Sequence, residues 1–449
     1  IMSDIIVDFS KSNGKIKPMH AVNNGPVYKF ASDQRVTNME YFQKAGIPFA
    51  RNHDASFYAT YGGEHTVDVN FIFRNFDNDP YNPESYDFTL TDEYIKVTEF
   101  AGTKTFYRLG SKIEHWGKKY NTLPPKDFKK WAIICEHIIR HYTEGWANGF
   151  HYDIQYWEIW NEADLDSDDS PHKRCWGGTA KEFYELFNIT LTHLKEKFPH
   201  LKIGGPAAAI SKDCDWLNNF FKSLGDVKPD FFSWHVYANN VLSIQERIRN
   251  MKGMLNRYGL TNCENILNEW NYVHGWVGDD WVYSLEQIKK IKGAAFIAAV
   301  MAMSQHEELD MLMYYDARPC AMNGMFNSDI VCKCLKGYYP FYMFNQLYTQ
   351  KTSVDVQHNS SDLWACAAKG DEQNTMLTYF TNDDTAPSKN VKVTFKNVEN
   401  PGMVKLEYYL LDEDHNAEIV REEIFTSTEF STYITMPRQS TYLFKIVKL

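Results

Sequence analysis

Two segments of this 449-residue chain carry the same unusual signature. "YWEIWNEAD", Tyr156 to Asp164, and "NILNEWN", Asn265 to Asn271, are apolar and aromatic enough to be buried strands, yet each runs into an Asn-Glu pair. The pairs are Asn161-Glu162 and Asn268-Glu269. Two carboxyl groups facing each other across a cleft can cleave an acetal: one protonates the leaving oxygen, and the other attacks the carbon or activates water. That division of labour requires surroundings that push their two pKa values apart. A glutamate at a strand end is more often an ordinary, satisfied acid. What argues for chemistry is the repetition of the pattern and where the two strands fall in the fold.

Eight short apolar runs end in polar residues between Lys17 and residue 345: "KPMHAVNN", "IPFARNHD", "KTFYRLGS", "QYWEIWNE", "LKIGGPAA", "FFSWHVYA", "NILNEWN" and "MLMYYDAR". Amphipathic stretches separate them. In "DFKKWAIICEHIIRHYTEG" the residues Trp131, Ile134, Cys135 and Ile138 recur at helical spacing, and Gly145 offers a stop. Eight strand-helix repeats over some 300 residues read as an α/β fold, a (β/α)8 TIM barrel spanning 17–345. From 346 to 449 helical periodicity gives way to short alternating runs with turn residues between them, which read as a C-terminal antiparallel β-sandwich. "DIIVDFS", near the start, also alternates, so residues 1–16 are expected to join that sheet.

In a barrel of this kind the active site lies at the C-terminal ends of the strands. The polar ends of the eight runs should therefore converge: His20 and Asn23; Asn52, His53 and Asp54; Ser111 with Glu114 and His115; Asn161 and Glu162; His235 and Tyr237; Asn268 and Glu269; and Asp316. Runs four and seven oppose each other across an eight-stranded barrel, so Glu162 and Glu269 should meet. His235 and Tyr237 are two apart on one strand and share a face. A Tyr237 hydroxyl beside Glu269 would keep it anionic, and the Asn161 amide could bind a sugar hydroxyl. Glu158 has the parity of Glu162 but lies deeper, as a structural acid. The acidic stretch from Asn161 through Asp169 lacks the ordered spacing and glycine of a calcium loop and reads as a solvated loop. Arg318 could meet a substrate carboxylate or form a loop salt bridge. Trp116, Trp176, Trp270 and Trp276 could line subsites or simply pack.

Composition sets outer limits. Apolar residues make up 44% and the net charge is −11, with no long basic run, so a nucleic-acid partner is not expected. No apolar stretch has the length of a membrane span; "GAAFIAAVMAMS", from Gly293, reads as a packed barrel helix. The eight cysteines are scattered, suggesting neither a zinc site nor a disulfide scaffold.

"EIWNE", "SWHVY" and "ILNEWN", in that order and spacing, resemble the clan of retaining glycosidases built on (β/α)8 barrels. Within that clan the chain is most similar to glycoside hydrolase family 39, which includes β-xylosidases and α-L-iduronidases; "IPFARNHD" is similar to that family's second strand. The resemblance implies Glu162 as acid/base and Glu269 as nucleophile in a double displacement with retention. It implies substrate-binding roles for Asn161, His53, His235 and Tyr237, and the same pocket would draw in Asp54, Asp316 and Trp270. It implies a carbohydrate substrate, exo action on a pentose-type or related unit of a plant or host polysaccharide, and no metal or organic cofactor, since two carboxyls and water suffice. An external glycan implies an extracytoplasmic setting, with a leader outside this sequence; the scattered cysteines fit a reducing cytosol equally well. The chain departs from the family in having Ala163 where proline commonly follows the Asn-Glu pair, in an acidic loop after it, and in "MYYDARPCAMNGMF". An endo-acting glycanase, an α-L-iduronidase-like enzyme drawing on Arg318 and Lys112, and a non-catalytic carbohydrate-binding protein are the alternatives. Oligomeric state has no signature in the sequence.

Overall fold

A computed structural model describes residues 2–28, 37–55, 65–327 and 333–449. The first strand, β1 (Ser3–Lys15), belongs to the C-terminal sheet. Eight parallel strands follow and close into a barrel: β2 (Ala21–Asn23), β3 (Phe49–Arg51), β4 (Lys104–Leu109), β5 (Tyr156–Ile159), β6 (Lys202–Ala208), β7 (Phe231–Ala238), β8 (Glu264–Tyr272) and β9 (Met311–Tyr314). Closure comes from β2, which pairs with both β3 and β9. Each strand arises from one of the eight apolar runs.

Strand periodicity stacks the barrel interior in layers. The floor is apolar: Phe106, Tyr156 and Phe231 pack ring against ring with Ile266, Met311 and Met313. Two residues further along the strands, on the same face, come Asn23, Arg51, Arg108, Glu158, Ser233 and Asn268, all buried. The polar layer therefore rests on an aromatic plug that closes the far end of the barrel. Above it lies the level of Glu162, His235 and Glu269.

The surrounding helices carry the signals that end them. The helix Phe128–Glu144 is capped by the Asp127 side chain, which accepts from Lys130 N, and stops at Gly145 in a left-handed conformation. Trp131, Ile134, Cys135 and Ile138 are all buried. The helix Ile291–Gln305, which contains the apolar stretch from Gly293, is buried on every side. One side meets the barrel, where Phe296 packs on Trp270 and Tyr272; Phe296 also reaches Phe380 of the terminal sheet. No helix among the described residues is long and apolar enough to cross a membrane.

The terminal sheet adds β10 (Thr352–His358), β11 (Leu363–Lys369), β12 (Gln373–Tyr379), β13 (Lys389–Lys396), β14 (Val404–Leu411), β15 (Asn416–Phe425), β16 (Phe430–Met436) and β17 (Ser440–Lys448). With β1 it forms one nine-stranded sheet, ordered β15-β14-β17-β12-β11-β10-β1-β13-β16, curled around its own apolar core of Ile5, Val7, Phe395, Leu406 and Phe444. The sandwich is not wholly antiparallel, because β1 runs parallel to β13 while pairing antiparallel with β10. The last barrel-side helix, Tyr339–Tyr348, runs across position 345. Two of the sheet's strands, β10 and β15, are not among the alternating runs read from the sequence. β15 is an exposed edge strand, so its residues do not alternate in polarity, and β10 offers only a short alternation in "TSVDVQH".

Candidate active site

Glu162 and Glu269 meet at the C-terminal mouth of the barrel. A carboxylate oxygen of each lies within 4.8 Å of the other and of a ring nitrogen of His235. Their side chains keep 14% and 7% of their surface exposed, so both open toward the mouth.

Neither residue reaches this position by simple alternation. After β5 the chain turns through left-handed backbone at Trp160 (φ 72°) and Glu162 (φ 46°). Such conformations in side-chain-bearing residues cost about 1–3 kcal/mol each and persist only where packing enforces them. Here Trp160 is locked between Trp131 and Trp176, and its indole N–H donates to Cys175 O at 2.7 Å. Gly110 (φ +108°) allows the crossing: a Cβ there would stand 3.0 Å from Trp160 Cα. Glu162 N then donates to Ala207 O at 2.9 Å, fixing the acid over β6.

On β8 a bulge does the same work. Trp234 of β7 pairs with Leu267, but His235 pairs with Glu269, leaving Asn268 as the extra residue. Asn268 and Glu269 both face inward as a result, and the parity of everything after them is reversed. This overturns one expectation. Strict alternation from Ile266 and Asn268 would turn Trp270 into the pocket; the bulge sends it outward, fully buried against Phe296 and Tyr314 under the helix Ile291–Gln305.

Around the acids the hydrogen bonds are short and directional. Tyr237 donates its hydroxyl to Glu269 Oε1 at 2.6 Å, and Arg51 Nη1 donates to Glu269 Oε2 at 2.8 Å. Each Glu269 oxygen thus accepts from a donor, an arrangement that favours the carboxylate. Burial drives the Glu269 carboxyl above its ordinary range and Glu162 adds to this, while His235, Arg51 and Tyr237 pull the other way. His235 Nδ1 bridges the pair, 2.6 Å from Glu162 Oε1 and 3.5 Å from Glu269 Oε2. Burial disfavours charge on this ring, but the field of Glu269 and the bond to Glu162 outweigh it, and its pKa is raised. Burial also pushes the Tyr237 phenol well up, with Glu269 contributing, so it stays a donor. Glu162, His235 and Glu269 also form the one group of three potential metal ligands among the described residues. The ring nitrogen and Glu162 already stand at hydrogen-bond distance, as a proton-sharing pair would.

Arg51 organises this level, and the sequence reading missed it. Its Nε donates to Glu158 Oε1 at 2.7 Å, Nη1 to Asn23 Oδ1 at 3.0 Å as well as to Glu269, and Nη2 to Asn161 Oδ1 at 2.6 Å. Burial works against its charge, but Glu158 and Glu269 hold its pKa above the usual value. Glu158 is the deep structural acid expected from parity, bonded to Arg51 and to the Asn268 amide. A guanidinium inside an otherwise apolar run, "IPFARNHD", was the available signal. Arg108 is the same case one strand along: its Nε donates to His53 Nδ1 at 3.1 Å and its Nη2 to Asp68 Oδ1 at 2.8 Å. An arginine can only donate, so His53 Nδ1 carries no proton and the neutral ring holds its hydrogen on Nε2. Burial holds the His53 pKa well below 6.5, further lowered by Arg51 and Arg108 against the pull of Asp54.

A second polar cluster sits beside this level, at the ends of β2, β3 and β9. Tyr315 donates to Asp54 Oδ2 at 2.5 Å, Asp54 N donates to Asn24 Oδ1 at 2.9 Å, and Asn24 Nδ2 donates to Asp316 Oδ1 at 3.0 Å. Burial pushes the Asp316 carboxyl up to about 6, with Asp54 adding and Arg318 opposing. Asp54 is held below its ordinary range: its burial is outweighed by His53, Arg318 and Tyr315. Arg318 Nη2 stands 3.4 Å from Asp316 and 3.9 Å from Asp54, so its charge is met within the protein.

Other expected members lie elsewhere. His20 points away from the mouth: it contacts Asn345 Oδ1 at 3.1 Å and packs on Phe344 and Tyr348, because Ala21 and Asn23 of β2 face the barrel interior and His20, next to Ala21, falls on the opposite face. Glu114 closes its own loop by accepting from the backbone of Tyr120, Asn121 and Thr122. Ser111 donates to Lys112 O, and Lys112 sits over the Trp116 ring. Trp176 is buried against Trp160 and Phe183. In the acidic loop, Asp164 accepts from Ala209 N and Ile210 N at 2.8 Å, Asp166 pairs with Arg174, and Asp168 accepts from Ala180 N. These acids shape the loop.

The sequence itself supplies the relationship. Residues 29–318 match the model of glycosyl hydrolases family 39. The chain belongs to glycosyl hydrolase family 39. Among curated relatives of this family 39 chain, it is 26% identical over 212 residues to a β-xylosidase of Geobacillus stearothermophilus, covering 44% of this chain and 38% of that one. It is 28% identical over 252 residues to a β-xylosidase of Caldicellulosiruptor saccharolyticus, covering 53% and 46%. The matches span less than half the length of either relative. Its fold is shared with a glucosidase from Croceicoccus marinus (TM-score 0.82, 18% identity, covering 100% of this chain and 99% of that one). It is shared also with a monomeric β-xylosidase from Caulobacter crescentus (TM-score 0.71, 15% identity, 99% of each chain).

Proposed function

We propose that this protein is a retaining glycoside hydrolase that removes a terminal pentose, of the β-xylose type, from an oligosaccharide. The observation that carries the reading is the approach of the Glu162 and Glu269 oxygens to within 4.8 Å, with His235 between them. Retaining enzymes hold their carboxyls about 5–5.5 Å apart, whereas inverting enzymes need about 6.5–9.5 Å to admit a water. The β-xylosidases among its relatives favour the pentose.

In the first step a Glu269 oxygen attacks the anomeric carbon from one face. Glu162 delivers its proton to the glycosidic oxygen, which departs with the rest of the glycan, and the sugar is left esterified to Glu269. In the second step Glu162, now a carboxylate, takes a proton from water while the water oxygen attacks the same carbon. The ester breaks, Glu269 is restored, and two inversions give retention. Arg51 and Tyr237 steady the charge that returns to Glu269 on each cycle. His235 orients Glu162. Asn161, held by Arg51, presents its amide to the hydroxyl next to the anomeric carbon; His53, through Nε2–H, and Asp54 take hydroxyls further round the ring. Asp316 contributes by fixing Asn24 and Arg318 behind Asp54.

The test is a screen of aryl glycosides and pentose oligosaccharides, with product anomers followed by NMR. Glu269→Ala should abolish turnover. Glu162→Ala should suffer most on poor leaving groups, since an activated aryl group needs little protonation. Near-normal rates in both variants, or an inverted product, would refute the assignment.

A further inference from the structure

Beyond the two acids, Trp276 is the most exposed tryptophan among the described residues, and the mechanism above does not use it. Trp276 lies in the loop after β8 and keeps 55% of its surface exposed, while Trp131, Trp176 and Trp270 are buried. Its ring meets Tyr237 nearly at right angles, 5.2 Å between centroids, and stacks on Trp281 at 5.3 Å and 22°. Tyr237 in turn donates to Glu269, so Trp276 stands one ring removed from the nucleophile.

The loop is built to hold that ring out. His274 N donates to the buried Ser284 hydroxyl at 2.8 Å, which donates to Asp280 O at 2.7 Å. The Asn239 amide reaches the His274 ring at 3.0 Å. Gly275 permits the tight closure, since a Cβ there would lie 2.6 Å from Asp280 Cβ. The side of the mouth matters too. The polar cluster suited to a terminal sugar's hydroxyls, Asp54 with Asn24, Tyr315 and Arg318, belongs to β2, β3 and β9. Trp276 sits against Tyr237 of β7, whose ring lies 6.4 Å from that of Tyr315, and the same strand's His235 holds Glu162, the proton donor to the leaving group.

Resting on the glycosidase reading above, we infer that Trp276, backed by Trp281, is the platform for the sugar on the leaving-group side of the scissile bond. An indole face takes a pyranose whose axial C–H bonds crowd one side, as in a β-linked xylose or glucose unit. The substrate is then an oligosaccharide of at least two sugars, read on both sides of the bond it loses.

The experiment compares wild type with Trp276→Ala on xylobiose and on β-xylosyl fluoride, whose leaving group is too small to touch the platform. The expected result is a fall of about tenfold in kcat/KM on xylobiose, carried by KM and of the size of one lost aromatic contact, with the fluoride unchanged within about twofold. Equal losses on both substrates would overturn the inference, placing the ring behind Tyr237 or under the terminal sugar; no loss on either would overturn it as well. Failure of wild type on both substrates would count against the function itself. Calorimetric binding of xylobiose to Glu269→Gln protein then decides the platform separately: binding weakened by Trp276→Ala supports it, and binding unchanged or absent in both proteins overturns it.

Discussion

Arg51→Met separates what holds the barrel together from what makes it react. Arg51 and Glu158 are both 0% exposed, and the guanidinium is bonded to Glu158, Asn23, Asn161 and Glu269. Methionine fills much of the same volume but leaves Glu158 as a buried carboxylate with only the Asn268 amide as a partner. Removing one partner of a buried ion pair costs ~3–5 kcal/mol, most of it the penalty of the stranded charge. Glu158→Gln added to Arg51→Met removes that charge. The double variant should regain at least ~1–2 kcal/mol over the sum of the two single losses, the coupling expected for groups in direct contact. Activity should not follow. In both proteins Glu269 has lost its Nη1 donor, a charge-assisted bond at 2.8 Å to the carboxylate proposed as nucleophile, so kcat should remain down by about a hundredfold or more. Urea unfolding followed by tryptophan fluorescence gives the stabilities, and an activated aryl glycoside gives the rates. If Arg51→Met unfolded within ~1 kcal/mol of wild type, or if the double variant recovered activity with stability, the separation argued here would be wrong.

Three further outcomes follow from the same geometry. Tyr237→Phe deletes the 2.6 Å donor to Glu269; losing a bond to the charged form raises a carboxyl pKa, so the acid limb of kcat/KM against pH should move upward while kcat/KM falls about 10–100-fold. Trp270→Ala should cost ~3–5 kcal/mol in unfolding free energy yet leave KM unchanged, since the ring is packed under a helix and not in the pocket; a raised KM would restore it to the substrate site. His20 makes stability acid-sensitive. Burial holds its pKa down from 6.5 to about 4, while the unfolded chain takes up the proton near 6.5. Folding stability should therefore be complete above about pH 6.5, fall as pH drops toward about 4, and lose nothing more to this group below that. Between pH 7 and 5 wild type should lose ~2 kcal/mol more than His20→Gln, measured as the difference between the two proteins' unfolding free energies.

The barrel strands, the opposition of Glu162 and Glu269, the pairing of Tyr237 with Glu269 and the depth of Glu158 could all be read from the chain. Each depends on a short-range regularity: alternation along a strand, helical spacing, and the polar residue that ends an apolar run. Those regularities are imposed by local backbone geometry and by the need to bury one face, so they are written in neighbouring residues. Trp270, Arg51 and Trp276 mark where that reading stops. The outward turn of Trp270 depends on a bulge at Asn268, and a bulge is a relation between two strands, β7 and β8, that neither segment contains alone. Arg51 matters because β2, β5 with the turn after it, and β8 bring it four acceptors; read along β3 it is one charge in an apolar run. Trp276 has the same side chain as the buried Trp176, and only the packing of its loop against β7 leaves one ring in water and the other in the core. Local order is set by the backbone and travels with the segment; which side chain meets which is set by how distant segments exclude water together, and that exists nowhere but in the assembled molecule.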